Sequence, residues 1–299
     1  MKINSLTLTY LSKVSFASLN GGDKEVDNIN PIKKITLANG EELPYVSSQA
    51  LRRALRDRLA EMGWETSPIL ESSTTKGAVK TTLNPTEFID DDLFGYMDAA
   101  KGEKDGDKGT SNTRTSPVRV DALVALSKYQ GDLDFATNYM GKEKGFDPNI
   151  FETEIHSGVY RGSILIELDR IGAGQGFEKA PLSPEKKAER VLAFIDAFRT
   201  LWSSGRQSRF LADISPKFVA AALMKAKNPI FLESVSLDSK GEVNVSALNS
   251  VVSDYSKFVE SHVFAAQNSI FSGNTEGVKS LADGFTDIEN WVKKYYEVA

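Results

Sequence analysis

Apolar and polar positions alternate from residue 3 to residue 19, with Ile3, Leu6, Leu8, Tyr10, Val14 and Phe16 as the apolar set. Alternation over this length predicts a long strand, with room for a bulge. The pattern is then lost. Gly21-Gly22 and Pro31 mark a loop, Ile35–Leu37 a short strand, Asn39-Gly40 a turn, and Pro44 the end of the extended stretch. Next the period changes to that of a helix. Leu51, Leu55, Leu59 and Met62 fall on one side, Ser47 or Ser48 can cap the start, and Gly63 closes the end.

Residues 65–117 differ in composition. SSTTKGAVKTTLNPTE is rich in Thr, Ser and Lys, IDDDLFGYM reads as a short acidic-to-apolar helix, and KGEKDGDKGTSNTRTSP is polar and Gly-rich. This segment reads as an insertion projecting from the main body. Val118–Tyr129 returns to an apolar pattern, and 151–170 reads as two strands joined tightly near Ser157-Gly158. Ser183-Pro184 starts a helix whose buried face runs from Val191 to Trp202, with Gly205 as its end. A segment at 217–225 follows, then a strand over Ile230–Leu237, a turn at Ser239-Lys240-Gly241, a helix over 246–262 and a last helix over 287–296. Leaving the insertion aside, the order is strand, helix, strand, strand, helix, strand. That is the split βαβ, ferredoxin-like order of an α+β fold. It hosts many functions, and RNA-recognition folds are among them.

Composition narrows the classes. The 299 residues include no cysteine, which excludes disulfides, thiolate nucleophiles and zinc–sulfur sites. Only two histidines occur, His156 and His262, so a multi-histidine metal site is excluded. No apolar run reaches the length of a membrane span and no signal-peptide pattern opens the chain, so a cytoplasmic protein without membrane contact is the simplest reading. The formal net charge is −5, so any polyanion must be met by a localised basic strip rather than by the field of the whole domain.

The helix that begins at Ser47 or Ser48 supplies such a strip, with four arginines between Arg52 and Arg58. At about 100° per residue, Gln49, Arg52, Arg53 and Arg56 project together and suit phosphates. Arg58 lies close to the apolar stripe and is expected to snorkel or to form an ion pair. Ser48 is either the helix cap or a ligand contact. Gly205-Arg206-Gln207-Ser208-Arg209, after the second long helix, adds Arg206, Gln207 and Arg209 as donors that could line the same strip of backbone. Lys76, Lys80, Arg114 and Arg119 are weaker nucleic-acid candidates. Each of these segments has a bland alternative as a solvated polar surface, but their segregation from acids in an acidic chain favours a ligand.

Other groupings carry less. Gly172, Gly174 and Gly176 have the spacing G-x-G-x-G and no helix opens directly after them, so a tight or bulged turn explains them better than a dinucleotide loop. Asp90-Asp91-Asp92 has the pattern of a divalent-cation site, but more often such a run complements a helix dipole from the first turn. Asp23 and Asp27 sit in the loop after the first strand without an evident partner. His156 reads as a hydrogen-bonded histidine at a strand end. No set of nucleophile, base and orienting group can be assembled, and no metal or cofactor is expected.

The stretches SSQALRRALRD at 47–57, DDDLFGYM at 90–97, TRTSPVRV at 113–120, HSGVYR at 156–161, LDRIG at 168–172 and GRQSRFLADISP at 205–216 together resemble the DevR-type backbone subunit of type I CRISPR Cascade complexes, in the RAMP superfamily. The resemblance implies a ferredoxin-like, RRM-like palm with a large inserted finger region and a thumb-like loop. The implied division is palm over 1–64, finger insertion over 65–150, and palm continuation with thumb-like loop and C-terminal helices over 151–299. It further implies a non-catalytic subunit that binds the CRISPR guide RNA, polymerises with copies of itself in a helical filament, joins other Cascade subunits, and meets target DNA by way of the guide. The alternative within the superfamily is a metal-dependent endoribonuclease that cleaves target RNA through a loop aspartate, for which Asp23 and Asp27 are the available residues.

Overall fold

The computed structural model describes residues 1–23, 28–71, 79–99, 111–140, 142–147, 149–203, 209–271 and 276–298. The alternating opening segment forms β1 (Ser5–Ala17). Leu6, Leu8, Tyr10 and Val14 point to one side and Leu11 to the other, so both faces are buried along most of its length. Short strands β2 (Ile29–Asn30), β3 (Lys34–Thr36) and β4 (Glu42–Val46) precede helix α1 (Ser48–Glu61). Pro44 does not end the extended stretch. It lies inside β4 opposite Lys34, and Tyr45 N supplies the bond to Lys33 O in its place.

The next segment holds β5 (Leu70–Glu71), β6 (Val79–Lys80), α2 (Ile89–Phe94), β7 (Tyr96–Ala99), β8 (Ser111–Arg114), β9 (Val118–Val120), β10 (Leu123–Ala125) and β11 (Leu133–Asn138). After it come β12 (Asn149–Glu154), β13 (His156–Glu167), α3 (Pro184–Arg199), β14 (Phe218–Met224), α4 (Val245–Asp254), β15 (Val259–Ala266), β16 (Val278–Ser280) and α5 (Leu281–Tyr296).

The largest sheet has the order β16-β15-β14-β1-β13-β10-β4-β3, with β9 also paired to β13. Its centre, β14-β1-β13-β10, is antiparallel throughout, and α1 and α3 fall between strands in the expected order. The register of β1 on β13 slips between Val14 and Ala17, which is the expected bulge. Of the 65–150 segment, β9 and β10 belong to this sheet. The β7–β8 pair forms a separate hairpin, and β11, β12 and β2 form a separate three-stranded sheet.

Helices α1, α3 and α5 cover one face through Leu51, Leu55, Val191, Phe194, Phe198, Phe285 and Ile288. Each such side chain contributes about 1.5–3 kcal/mol by leaving water. On the other face, Leu11, Phe218, Ala220 and Phe264 lie under Phe231, Val235 and Leu248. The sheet-to-helix contact is close at Gly162 of β13, where an added Cβ would stand 2.7 Å from the Tyr10 ring. That ring is itself edge-on to Phe198 at 4.7 Å. Gly162→Ala is therefore expected to lower stability by about 1–3 kcal/mol through overpacking, read as a lower urea midpoint at unchanged m-value.

Four other expected elements differ. The break between β12 and β13 falls at Ile155, and the two strands do not pair with each other: β12 joins β11 while β13 joins β1. The 230–237 stretch is a set of turns, with Leu232 N bonded to Pro229 O and Ser234 N to Phe231 O, because the edge of β14 is already taken by β15. The first half of that strand is built from residues expected at the end of the fourth helix: Val259, Ser261 and His262 pair with β14 instead of continuing a helical turn. Helix α5 starts six residues earlier than expected, capped by Ser280. The helix begun at Ser183-Pro184 has the expected cap and stops at Arg199; Gly205 is outside the described residues.

Candidate nucleic-acid interface

Helix α1 is capped by Ser47, whose hydroxyl accepts from Ala50 N at 3.3 Å. Ser48 is not the cap. Its hydroxyl donates to Val120 O at 2.6 Å and ties the helix to β9, leaving only its oxygen lone pairs for a ligand. The four α1 donors do not form one surface. Gln49 and Arg53 are exposed, the Arg53 side chain to 66%, with its Nε on Asp57 at 2.8 Å one turn later. Arg52 and Arg56 turn instead toward α2. Arg52 donates to Phe94 O, Arg56 donates through Nε to Asp90 at 3.1 Å, and both guanidinium groups lie over the Phe94 ring, at 5.6 and 4.8 Å. Burial, with the neighbouring Arg56 charge, lowers the Arg52 pKa from its ordinary value. Arg58 forms the expected ion pair, with Glu61 at 2.8 Å, and also donates to Thr200.

The reason for the turn is the acidic run. Asp90, Asp91 and Asp92 are all buried, so they are more than an exposed first turn facing a helix dipole. Asp90 accepts from Ser67 N and Arg56, and Asp91 from Asn84 N and Thr82. Asp92 accepts from Gly172 N, from Arg190 at 2.7 Å and from Arg114. Among the described residues no group of His, Asp or Glu is arranged to hold a metal ion.

Arg114 is fully buried in this hub and is not available to a nucleic acid. Its guanidinium spans Asp92 and the carbonyls of Arg170, Ala173 and Gln175. Burial lowers its pKa, opposed by Asp92. Here lies the use of the G-x-G-x-G stretch: φ of +60°, +76° and +84° at Gly172, Gly174 and Gly176 lets the chain coil tightly enough to aim those carbonyls at one guanidinium.

The remaining candidates separate in the same way. Lys80 is bound to Asp98 at 2.7 Å. Arg119 is over half exposed but pairs with Glu167, which also holds Lys227 at 2.8 Å and Arg170 at 3.3 Å. Burial would raise the Glu167 pKa, but the Lys227 hydrogen bond with the Arg119 and Arg170 charges outweighs it and holds the carboxyl below its ordinary range. Arg209 pairs with Asp134 of β11, donates to Thr153 of β12 at 3.2 Å, and lies over the rings of Phe151 and Phe210. Lys76, Arg206, Gln207 and Asp27 lie outside the described residues. Asp23 lines a polar cleft of about 690 Å³ with Lys33, Lys34 and Glu154. His156 opens β13 as expected, buried, its Nδ1 2.7 Å from Tyr160 Oη and its pKa lowered by burial.

What the fold does bring together is the C-terminal end of β1. Phe16 is 48% exposed there and packs on Phe210 at 5.3 Å. Ser18, Arg53 of α1 and Ser203 of the post-α3 segment line one cavity. Ser203 N bonds Ala212 O and Trp202 bridges Asp213, which holds the backbone after α3 against 212–213. Arg53 of α1 thus shares a cavity with Ser203, which follows α3, while Arg52 and Arg56 turn toward α2. Phe16 lies at the same end of β1 and is not among the candidate residues. An aromatic on the exposed side of a strand end was its only signal. The β11–β12 pair was also missed; it carries Phe135, with Tyr139 and Met140 just past the end of β11, all largely exposed, Met140 to 90%.

Comparison with known proteins places this arrangement among CRISPR-associated proteins. Residues 10–245 match the family model described as "CRISPR-associated negative auto-regulator DevR/Csa2", and the chain belongs to that family. A Myxococcus xanthus (strain DK1622) protein described as CRISPR-associated protein Cas7/Cst2/DevR is 26% identical over 259 residues, 80% of this chain and 78% of the relative. Two solved chains share the fold. One, from a CRISPR RNA-guided surveillance complex in a pre-nicking state, has a TM-score of 0.59 at 13% identity and covers 96% of this chain and 100% of its own. The other, from a CRISPR RNA-guided surveillance complex, has a TM-score of 0.58 at 15% identity, covering 96% and 99%. The kinship with DevR-type Cascade subunits expected from the motifs is borne out.

Proposed function

We propose that the protein is a non-catalytic subunit that binds CRISPR guide RNA and polymerises along it as the backbone of a type I Cascade surveillance complex. The observation that carries this reading is the donor and aromatic strip at the end of β1, in a chain of this family with a net charge of −5. A local strip suits many copies that share one RNA, each holding a few nucleotides. In this reading the central strands are an RRM-like palm (1–64 and 151–299, completed by β9 and β10), the rest of 65–150 supplies the fingers, and the thumb-like loop lies in the C-terminal part. Gln49, Arg53 and Arg209 contact the guide backbone, joined by Arg206 and Gln207, while Phe16 meets a base face. Ser48, Lys76, Lys80 and Arg119 are secondary contacts. Arg52, Arg56 and Arg114 hold the interface in shape from behind. Other Cascade subunits and copies of the chain are its partners, and target DNA is met by pairing with the guide.

The test is purification of the chain after co-expression with a CRISPR array, reading the absorbance ratio, particle size and extracted RNA. The expected result is a large particle with RNA of one discrete guide-sized length. Protein free of RNA at low salt would overturn the reading.

A further inference from the structure

Side chains of the β11–β12 pair alternate between two faces. Leu133 and Phe135 of β11 share one face and are exposed, Phe135 to 61%. Asp134 takes the other face, directly across from Thr153 of β12, with Phe151 two residues along the same face. The strand pair thus turns an acid toward the body and a phenylalanine toward water, the reverse of the usual order. That inward acid meets Arg209. The guanidinium donates to Asp134 and to Thr153 Oγ1, the latter at 3.2 Å, and lies over the rings of Phe151 at 5.2 Å and Phe210 at 5.3 Å. Phe210 in turn packs on Phe16 at the end of β1. Acid, hydroxyl and ring therefore hold one guanidinium at the margin of the donor and aromatic strip. The ion pair is only half-buried: its side chains keep 27% and 33% of their exposure. The strand pair also has a second anchor. Glu154 accepts from Lys34 at 2.8 Å and from Ile32 N at 2.9 Å, and β12 pairs with β2. Loss of the Arg209 bond leaves that anchor in place.

We propose that Asp134 is an internal stand-in for an RNA phosphate: it occupies Arg209 while the chain is free, and the backbone of the bound strand displaces it. The proposal rests on the RNA-binding reading above and adds an autoinhibitory contact to it. A carboxylate and a phosphodiester each offer two oxygens to the guanidinium fork, so they compete for the same donors. A partly exposed ion pair is weak enough to be exchanged. An isolated anion gains little by the exchange, since one oxyanion merely replaces another. A strand already held by Gln49 and Arg53 brings its next phosphate to Arg209 at high effective concentration, and the exchange then goes forward. Asp134 thereby reserves Arg209 for a strand that engages several donors at once. Thr153 and the two rings hold the guanidinium in the same place before and after, so its release requires little new ordering.

The experiment measures the affinity of the full chain for guide-length single-stranded RNA across a salt series. Asp134→Asn is expected to tighten binding about fivefold, near 1 kcal/mol, at unchanged salt slope, because the same phosphates are neutralised and only the competitor is gone. Arg209→Gln is expected to weaken binding and to make the slope shallower by about 0.7. Within the Arg209→Gln chain, Asp134→Asn is expected to change affinity by less than about twofold, and the double-mutant cycle reads that coupling. Glu152→Gln removes a charge from the other face of the strand pair, opposite Phe135. It is expected to leave affinity within about twofold, which separates displacement at Arg209 from a general loss of negative charge. Unchanged or weaker binding by Asp134→Asn, the same gain in the Arg209→Gln chain, or an equal gain from Glu152→Gln would each overturn the stand-in while leaving RNA binding intact. Failure of the unaltered chain to bind RNA would overturn both.

Discussion

Asp92→Ala is expected to lower the stability of the free protein by about 3–5 kcal/mol, the cost of leaving a buried charge without its partner. Two guanidinium groups converge on this one carboxylate, Arg190 at 2.7 Å and Arg114, and Gly172 N adds a bond at 3.0 Å. None of them can reach water in the folded state without opening the contact between α2, α3 and the 170–176 turn. Arg114→Met should cost a similar amount, because it strands the carbonyls of Arg170, Ala173 and Gln175 and removes one of the two ion pairs of Asp92. Against a total of about 5–15 kcal/mol for a folded domain, either change is large. Urea unfolding followed by circular dichroism reads it directly. RNA affinity per folded molecule should be nearly unchanged for Arg114→Met, since the side chain is inaccessible. A stable Asp92→Ala protein, or an Arg114→Met protein that folds well and loses RNA, would contradict the structural role.

The same hub explains where the sequence was readable and where it was not. Local signals held up. The capping serine of α1, the leucine stripe of that helix, the long alternation of β1 and the order of the central strands all depend on neighbours within a few residues, or on a period that one segment carries by itself. The roles of Arg56 and Arg114 depend on Asp90 and Asp92, 34 and 22 residues away, and no period links them. An acidic run and an arginine-rich helix were each legible as charge; that they neutralise one another became visible only when the fold brought them together. Likewise 259–262 opens a strand because β14 offers it an edge, whereas by its sequence alone it reads as the end of a helix. Thus an arginine's composition-level neighbourhood, free of acids in 47–56, was a poor guide to its spatial neighbourhood.

That separation gives the second large effect. Replacing Gln49 and Arg53 together by glutamate is expected to weaken guide binding about a hundredfold, near 3 kcal/mol, by removing one cation and placing two anions on the exposed side of α1. The weakening should be the same for guides of any sequence, because phosphate contacts carry no sequence information. It should also change the salt dependence. A subunit that neutralises about three phosphates of a single strand binds with a log–log salt slope near −2, and the slope becomes shallower by about 0.7 for each phosphate no longer neutralised. Arg56→Ala makes the opposite prediction: the Asp90 bond and the stacking over Phe94 disappear, the melting point falls, and the slope stays where it was. Titration of labelled RNA at several salt concentrations distinguishes the two. If Arg56→Ala flattened the slope while the Gln49 and Arg53 pair left it alone, the guide would run over the α2 side of the helix, and the end of β1 would no longer be its path.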